Sequence, residues 1–205
     1  MALSTYAELQ TSIGNWLKDS TLTSVIPDFI TLAEARFNRQ IRTPEMEAVS
    51  TAAVSTESFS MPTGFLEMRS IWLEESPDKP LDYFPPHMLK TVRADGTGGK
   101  PTAYTIIGEA IYLAPIPASS YNVAIAYYAK IPALTNSNTT NWLLTNHPDL
   151  YLSASLSAAE AYGWNDERVG FWDASASRAI DELNEQGVKK RIGANPQVRS
   201  LRAFS

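Results

Sequence analysis

The chain has 205 residues, a formal net charge of −5, 44% hydrophobic and 19% charged residues, and no cysteine. The apolar share is enough for a packed core and argues against disorder, and the lack of cysteine excludes disulfides and thiolate metal sites. No run of 18 apolar residues is present, so no transmembrane helix is expected, and the start, MALSTYAELQ, shows no basic region followed by an apolar one, so no secretory signal is expected.

Ser4 or Thr5 is placed to cap a first helix, with Glu8 completing a capping box and Tyr6, Leu9, Ile13, Trp16 and Leu17 at helical spacing. Asp19-Ser20-Thr21 reads as its exit. A second helix starts near Ser24 or Ile26, carries Pro27 in its first turn, steps along Ile30, Ala33, Phe37 and Ile41, and ends at Thr43-Pro44. The character then changes. Ala48 to Val54 is small and β-branched, and Pro62-Thr63-Gly64 marks a turn. Phe65 to Glu74 reads as a strand, with Met68, Ser70 and Trp72 on one face and Arg69, Ile71 and Leu73 on the other.

Ser76 to Pro80 is a turn cluster, Leu81 to Phe84 a short strand, and Pro85-Pro86 opens a helical turn through Val92. Ala94 to Pro101, with three glycines, reads as an exposed loop. Tyr104–Ile107 and Ala110–Leu113 flank Gly108-Glu109, a spacing that predicts a tight hairpin. Val123 to Tyr128 is a further strand, closed by Lys130-Ile131-Pro132, and Thr135 to Thr140 is a polar loop.

The stretch Asn141 to Asp166 organises the rest. Asn146 is placed to cap a helix with Pro148 in its first turn. Tyr151, Ala154, Ser155, Ala158 and Tyr162 form one row, and Leu152, Leu156 and Ala159 a second, so burial is expected on more than one side. Seven of the nine residues from Ser153 to Ala161 are Ala or Ser, which lets a neighbouring backbone come close. Asn165 or Asp166 then caps a last helix along Val169, Trp172, Ala176, Ala179, Ile180 and Leu183, with Gly187 as its stop.

Each helix has an apolar face that it cannot bury alone. The expected fold is therefore α+β: a helical bundle of residues 1–42 and 141–188 from the two ends of the chain, an inserted antiparallel β-rich domain over 43–140, and a C-terminal arm over 189–205. Residues 186–205 contain five basic side chains and no acidic one, whereas the rest of the chain carries 12 basic and 22 acidic residues, a net of −10. An acidic body repels nucleic acid at long range, and the basic end reads as a docking arm. Its candidate contacts are Lys189, Lys190, Arg191, Arg199, Leu201, Arg202 and Phe204, with Asn195-Pro196 preventing a simple helical continuation.

Signals for catalysis are weak. His87 and His147 sit beside prolines in expected surface turns, and no metal spacing such as H-E-x-x-H is found. Gly96 to Pro101 lacks the spacing of a phosphate loop. Glu74 and Glu75 are strand neighbours facing opposite ways, Asp166 and Glu167 suit a helix N-terminus, and no Gly-x-Ser-x-Gly elbow is present. No catalytic residue, cofactor or metal is expected. Tyr104, Tyr112, Tyr121, Tyr127 and Tyr128 gather in the β part as cross-strand pairs or as an interface.

The chain resembles the head-to-tail adaptors of short-tailed phages, the family of portal adaptors that includes the tail tubular proteins. The resemblance lies in Ile30-Thr31-Leu32-Ala33-Glu34-Ala35-Arg36, in Met61 to Ser70, in Tyr127 to Leu134, and in the Trp142-Leu143-Leu144 to His147-Pro148-Asp149-Leu150-Tyr151 run. Where such proteins show Pro-x-Asp-Phe-Leu, this chain has Pro62-Thr63-Gly64-Phe65-Leu66. The resemblance implies a structural virion protein forming a homo-oligomeric ring, usually of twelve copies, between the capsid portal protein and the tail nozzle protein. Genomic DNA would pass through its lumen without specific binding, with no membrane involved and synthesis in the host cytoplasm, and the basic arm is expected to dock on the portal, with Arg199 and Arg202 facing carboxylates and Leu201 and Phe204 filling apolar pockets. Two other classes stay open: a tail-associated cell-wall-degrading enzyme, which needs an acid/base pair in a cleft, and a β-rich binding module on a helical stalk.

Overall fold

The computed structural model describes residues 3–92, 98–164 and 166–192. Among these residues, six α-helices and eight strands in two sheets make an α+β fold. The described residues fall into two compact units. One comes from the segments up to Met46 and from Ile131 onward, and the other is Glu47–Lys130.

In the helical unit, α1 (Tyr6–Leu17) starts at the capping box read from the sequence. The Thr5 side chain accepts from the Glu8 N–H, and the Glu8 carboxylate accepts from the Thr5 N–H at 3.1 Å. The chain leaves α1 through Lys18 in the left-handed region, and Asp19 caps a single 3-10 segment, Ser20–Val25, before α2 (Ile26–Gln40). Ile30, Ala33 and Phe37 of α2 are buried, as their spacing predicts.

Two boundaries differ from expectation. Trp142–Asn146 is a short helix of its own, α4, capped by Asn141, whose side chain accepts from the Leu144 N–H at 2.8 Å. Asn146 is the last residue of α4 and caps nothing; α5 (Pro148–Tyr162) begins with Pro148 filling the position where no N–H partner exists. The last helix, α6 (Asp166–Ile192), runs through Gly187 instead of stopping there. The reason is steric. A Cβ on Gly187 would lie 3.2 Å from Pro44 Cδ and 3.3 Å from Thr43 Cα, so this glycine is where α6 touches the exit of α2. The helix end expected at 187 and the close approach found there both call for a residue without a side chain.

Helix α5 touches α1, α2, α4 and α6. Nine of its residues are buried, including Ser153, Ala154, Ser155, Ser157 and Ala159, so the Ala/Ser run lets the middle of α5 be buried on more than one side. On α6, Ala176, Ile180 and Leu183 are buried, in line with the face read from spacing.

In the β unit, β1 (Glu47–Val54), β8 (Tyr121–Ala129), β3 (Phe65–Leu73) and β4 (Lys79–Pro80) form one antiparallel sheet in the order β1-β8-β3-β4. The second sheet is β2 (Ser58–Ser60), β7 (Ala110–Ala114), β6 (Ala103–Ile107) and β5 (Asp82–Tyr83), with β5 and β6 parallel. Gly108 takes φ +60 in the β6–β7 hairpin, the first-position glycine that the turn demands. One core joins the sheets: Val54, Ile71, Leu73, Ile111, Leu113, Val123, Ile125 and Tyr127. The short helix α3 (Pro86–Val92) covers a second, smaller core of Leu89, Ala103 and Ala114.

The expected alternation of β3 is corrected by two register shifts, at Phe65/Glu67 and Met68/Ser70. Each adds a residue opposite β8 and turns the following side chains over. Phe65, Met68, Ile71 and Leu73 therefore all reach the same core, although Met68 and Ile71 were expected on opposite faces.

Candidate assembly surfaces

Three of the four segments that carry the family resemblance contribute residues to one network inside the helical unit; Met61 to Ser70 lies in the β unit. Glu34 of α2 is buried, and its Oε1 accepts from the Leu134 N–H at 2.8 Å and from the Tyr151 hydroxyl at 3.2 Å. The Asn141 amide donates to that same hydroxyl and to the Pro132 carbonyl, both at 2.7 Å, while its oxygen caps α4. Tyr151, with no exposed surface, meets Phe37 edge-on at 5.0 Å. Four separate stretches of chain are thus tied by one fully used polar network. Such a network specifies a single arrangement, since any lost partner leaves a buried polar atom unsatisfied.

Burial raises the Glu34 carboxyl above its ordinary value, against the lowering effect of its two donors. Burial also drives the Tyr151 hydroxyl far upward, so it keeps its proton and remains a donor to Glu34. Nothing in this arrangement exposes a reacting atom to solvent; its role is to hold the helices in place.

A second set of contacts fixes α6 on α2. Arg36 donates to Asp173 at 2.7 Å and to Ser177 at 2.8 Å. Asn184 accepts from the Arg42 N–H and donates to the Gln40 carbonyl, both at 2.9 Å. Among the residues proposed for docking, Lys189, Lys190 and Arg191 lie in the last turns of α6. Lys190 pairs with Glu45, Arg191 donates to the Arg42 carbonyl at 3.1 Å, and Lys189 sits 3.9 Å from Glu185. Arg199, Leu201, Arg202 and Phe204 lie outside the described residues, as does Gly96 of the loop after α3.

The opposite end of α6 is aromatic. Tyr162 ends α5, Trp164 follows at φ +59, and Phe171 stands on the second turn of α6; their exposures are 57%, 91% and 66%. Trp172 contacts Phe171 at 5.0 Å and Trp16 of α1 at 5.3 Å, and Trp16 is itself half exposed. The apolar spacing of α6 pointed to Trp172. Phe171 and Trp164 fall off that face, and two large aromatics off the buried face are the sequence signal for this surface.

The remaining candidates are dispersed. His87 is on α3, and His147 lines a small crease with Asp149 and Glu182. Glu75 pairs with Lys100, and Glu74 accepts from Thr51. Of the tyrosines, Tyr104 meets Tyr83 at 5.6 Å, Tyr127 stacks on Phe65 at 5.6 Å, and Tyr128 accepts from Arg69 at 3.0 Å. Among the described residues no group of three His, Asp or Glu side chains is placed to hold a metal ion, and no helix is long and apolar enough to cross a membrane.

A tightly pinned helical unit with an exposed aromatic end and a small β unit fits a protein that acts by binding other proteins. The family described as SU10 adaptor protein matches residues 4–200, and the chain belongs to this phage adaptor family. It is a structural component of the virion with a head-to-tail adaptor role, binding other head or tail components. No curated protein matches the chain.

Proposed function

We propose that this adaptor assembles as a closed ring, of twelve copies, between the capsid portal and the tail nozzle of a short-tailed phage, with the genome passing through its lumen. In this reading residues 1–42 and 141–192 form the bundle, 43–140 the β-rich domain that contacts neighbouring components, and the chain beyond Ile192 the arm that docks on the portal. The observation that carries it is the family match over residues 4–200. A ring built by one rotation needs two unlike surfaces on each copy. The aromatic end of α6 and the basic end of the chain are two such surfaces. A net charge of −10 outside the last 20 residues keeps a lumen from gripping DNA, because few phosphates would be neutralised.

Individually weak contacts gain from one another once a template gathers the copies. The protein alone is therefore expected to sediment as a monomer, and to co-sediment with portal in a multi-copy complex. Failure to bind portal, or a stable closed dimer, would contradict the ring. The acid/base pair that a wall-degrading enzyme requires finds no support in the groove beside α1, whose one acidic side chain, Asp19, is used in capping.

A further inference from the structure

We propose that the outer face of α2 in one copy packs antiparallel on the outer face of α6 in the next. The proposal rests on the ring reading and supplies the contact by which one copy recognises its neighbour.

The two helices carry the same exposed row. On α2 it is Asp28, Leu32, Ala35 and Arg39; on α6 it is Glu167, Phe171, Ala174 and Arg178. Both rows run acid, large apolar, small, base, at steps of four, three and four, the spacing of one helix face. All eight residues are exposed, Leu32 at 59% and Phe171 at 66%. Large apolar side chains held out to solvent within a polar rim mark a binding surface. The neighbouring arginines serve their own chain: Arg36 pairs with Asp173, and Arg168 with Glu160. Among the described residues, Asp28, Arg39, Glu167 and Arg178 have no ion-pair partner.

Register selects the pairing. Laid antiparallel, Asp28 meets Arg178, Leu32 meets Ala174, Ala35 meets Phe171, and Arg39 meets Glu167. Each large side chain faces a small one, so the helices interdigitate, and each charge faces its opposite. Laid parallel, the same rows set Asp28 against Glu167, Arg39 against Arg178 and Leu32 against Phe171, so like charges and bulk both oppose that arrangement.

The two rows of one copy cannot make this contact with each other. On a helical wheel each row lies across from its own buried face, which is Ile30, Ala33 and Phe37 on α2 and Ala176, Ile180 and Leu183 on α6. Arg36 and Asp173 fix a different side of α2 against α6. The occupant is therefore a second copy. Because the row is repeated, two α2 rows or two α6 rows would also match across a two-fold axis. A ring needs two unlike surfaces on each copy, which selects α2 against α6. From Asp28 to Arg39 is about 17 Å along a helix at 1.5 Å per residue. So short a contact suits chains that join when a template gathers them.

The absence of natural cysteines allows a direct test in the full-length chain. Leu32→Cys chains and Ala174→Cys chains are oxidised at millimolar concentration and low salt, each alone and as an equimolar mixture. The mixture is expected to give disulfide dimers joined between positions 32 and 174, identified by mass spectrometry. Asp28→Arg in the Leu32→Cys chain should cut their yield about fivefold, because an attraction becomes a repulsion. Arg178→Asp in the Ala174→Cys chain should restore it, whereas Arg39→Asp beside Asp28→Arg should not. Every substituted position is exposed, and circular dichroism checks the fold. No cross-link, equal dimers from either variant alone, or rescue by Arg39→Asp would overturn the proposal. Asp28→Arg chains that form normal rings on portal would overturn it while the ring reading stands. Dimers joined between 32 and 174 from a protein that forms no ring on portal would uphold the contact and remove the ring.

Discussion

Replacing Gly187 by alanine separates two accounts of this glycine: a helix stop, or a point of close contact. In a helix interior, Gly→Ala by itself stabilises by about 1 kcal/mol. At Gly187 the added Cβ would stand 3.2 Å from Pro44 Cδ and 3.3 Å from both Thr43 Cα and Cγ2. Two of these atoms belong to a proline ring and a backbone, which give little. Overpacking of this kind costs about 1–3 kcal/mol. The net expectation for Gly187→Ala is a destabilisation of about 0–2 kcal/mol once the helix gain of about 1 kcal/mol is subtracted. Gly170, on the same helix, is the internal control: nothing lies within 4 Å of its added Cβ. Gly170→Ala should therefore stabilise by about 0.5–1 kcal/mol. Urea unfolding followed at the helical circular dichroism band measures both. Equal stabilisation by the two substitutions would show that α6 does not approach the α2 exit as described.

Further outcomes follow from the polar network and from the packing of α5. Asn141→Ala removes the α4 cap and leaves the Pro132 carbonyl short of a donor, so a loss of about 2–4 kcal/mol is expected; Asn146→Ala should change stability by less than about 0.5 kcal/mol, as for an ordinary surface site. The Glu34 carboxyl is raised in the folded chain, so the folded state holds this proton more tightly than the unfolded one. Its contribution to stability grows as pH falls from the raised value to the ordinary 4.5 and is level below that. Wild type should therefore gain on Glu34→Gln across that window in paired thermal melts, and a difference that is constant or opposite in sign would refute the burial argument. Ala159→Trp, at a fully buried contact of α5, should cost about 1–3 kcal/mol or more in the same unfolding assay, and no loss would place that face in solvent.

Much of the fold was legible because periodicity reports burial directly. The row on α2, the core of the rows on α5 and α6, and the glycine-first hairpin at Gly108 are set by local geometry, whereas Tyr162, read as the end of a buried α5 row, is exposed. Where long-range pairing intervenes, the local reading fails. The bulges in β3 depend on register with β8, about 55 residues away in sequence. Asn141 and Asn146 are equally good caps by residue type. Asn141 is chosen because its two remaining donors find Pro132 and Tyr151. Gly187 matched the grammar of a helix end, and only the position of Thr43 and Pro44 reveals the contact. Of the surfaces, the basic end was visible in the charge count, whereas the aromatic end became visible only when α6 showed which of its residues stay outside.

The central claim is a ring that joins head to tail, and the most direct measurement is negative-stain imaging of the purified protein with and without portal. The account predicts isolated particles alone, and on portal an added ring whose class averages show twelve-fold symmetry and a central channel. Particles of portal left bare, or adaptor bound as a single off-axis copy without a channel, would contradict it.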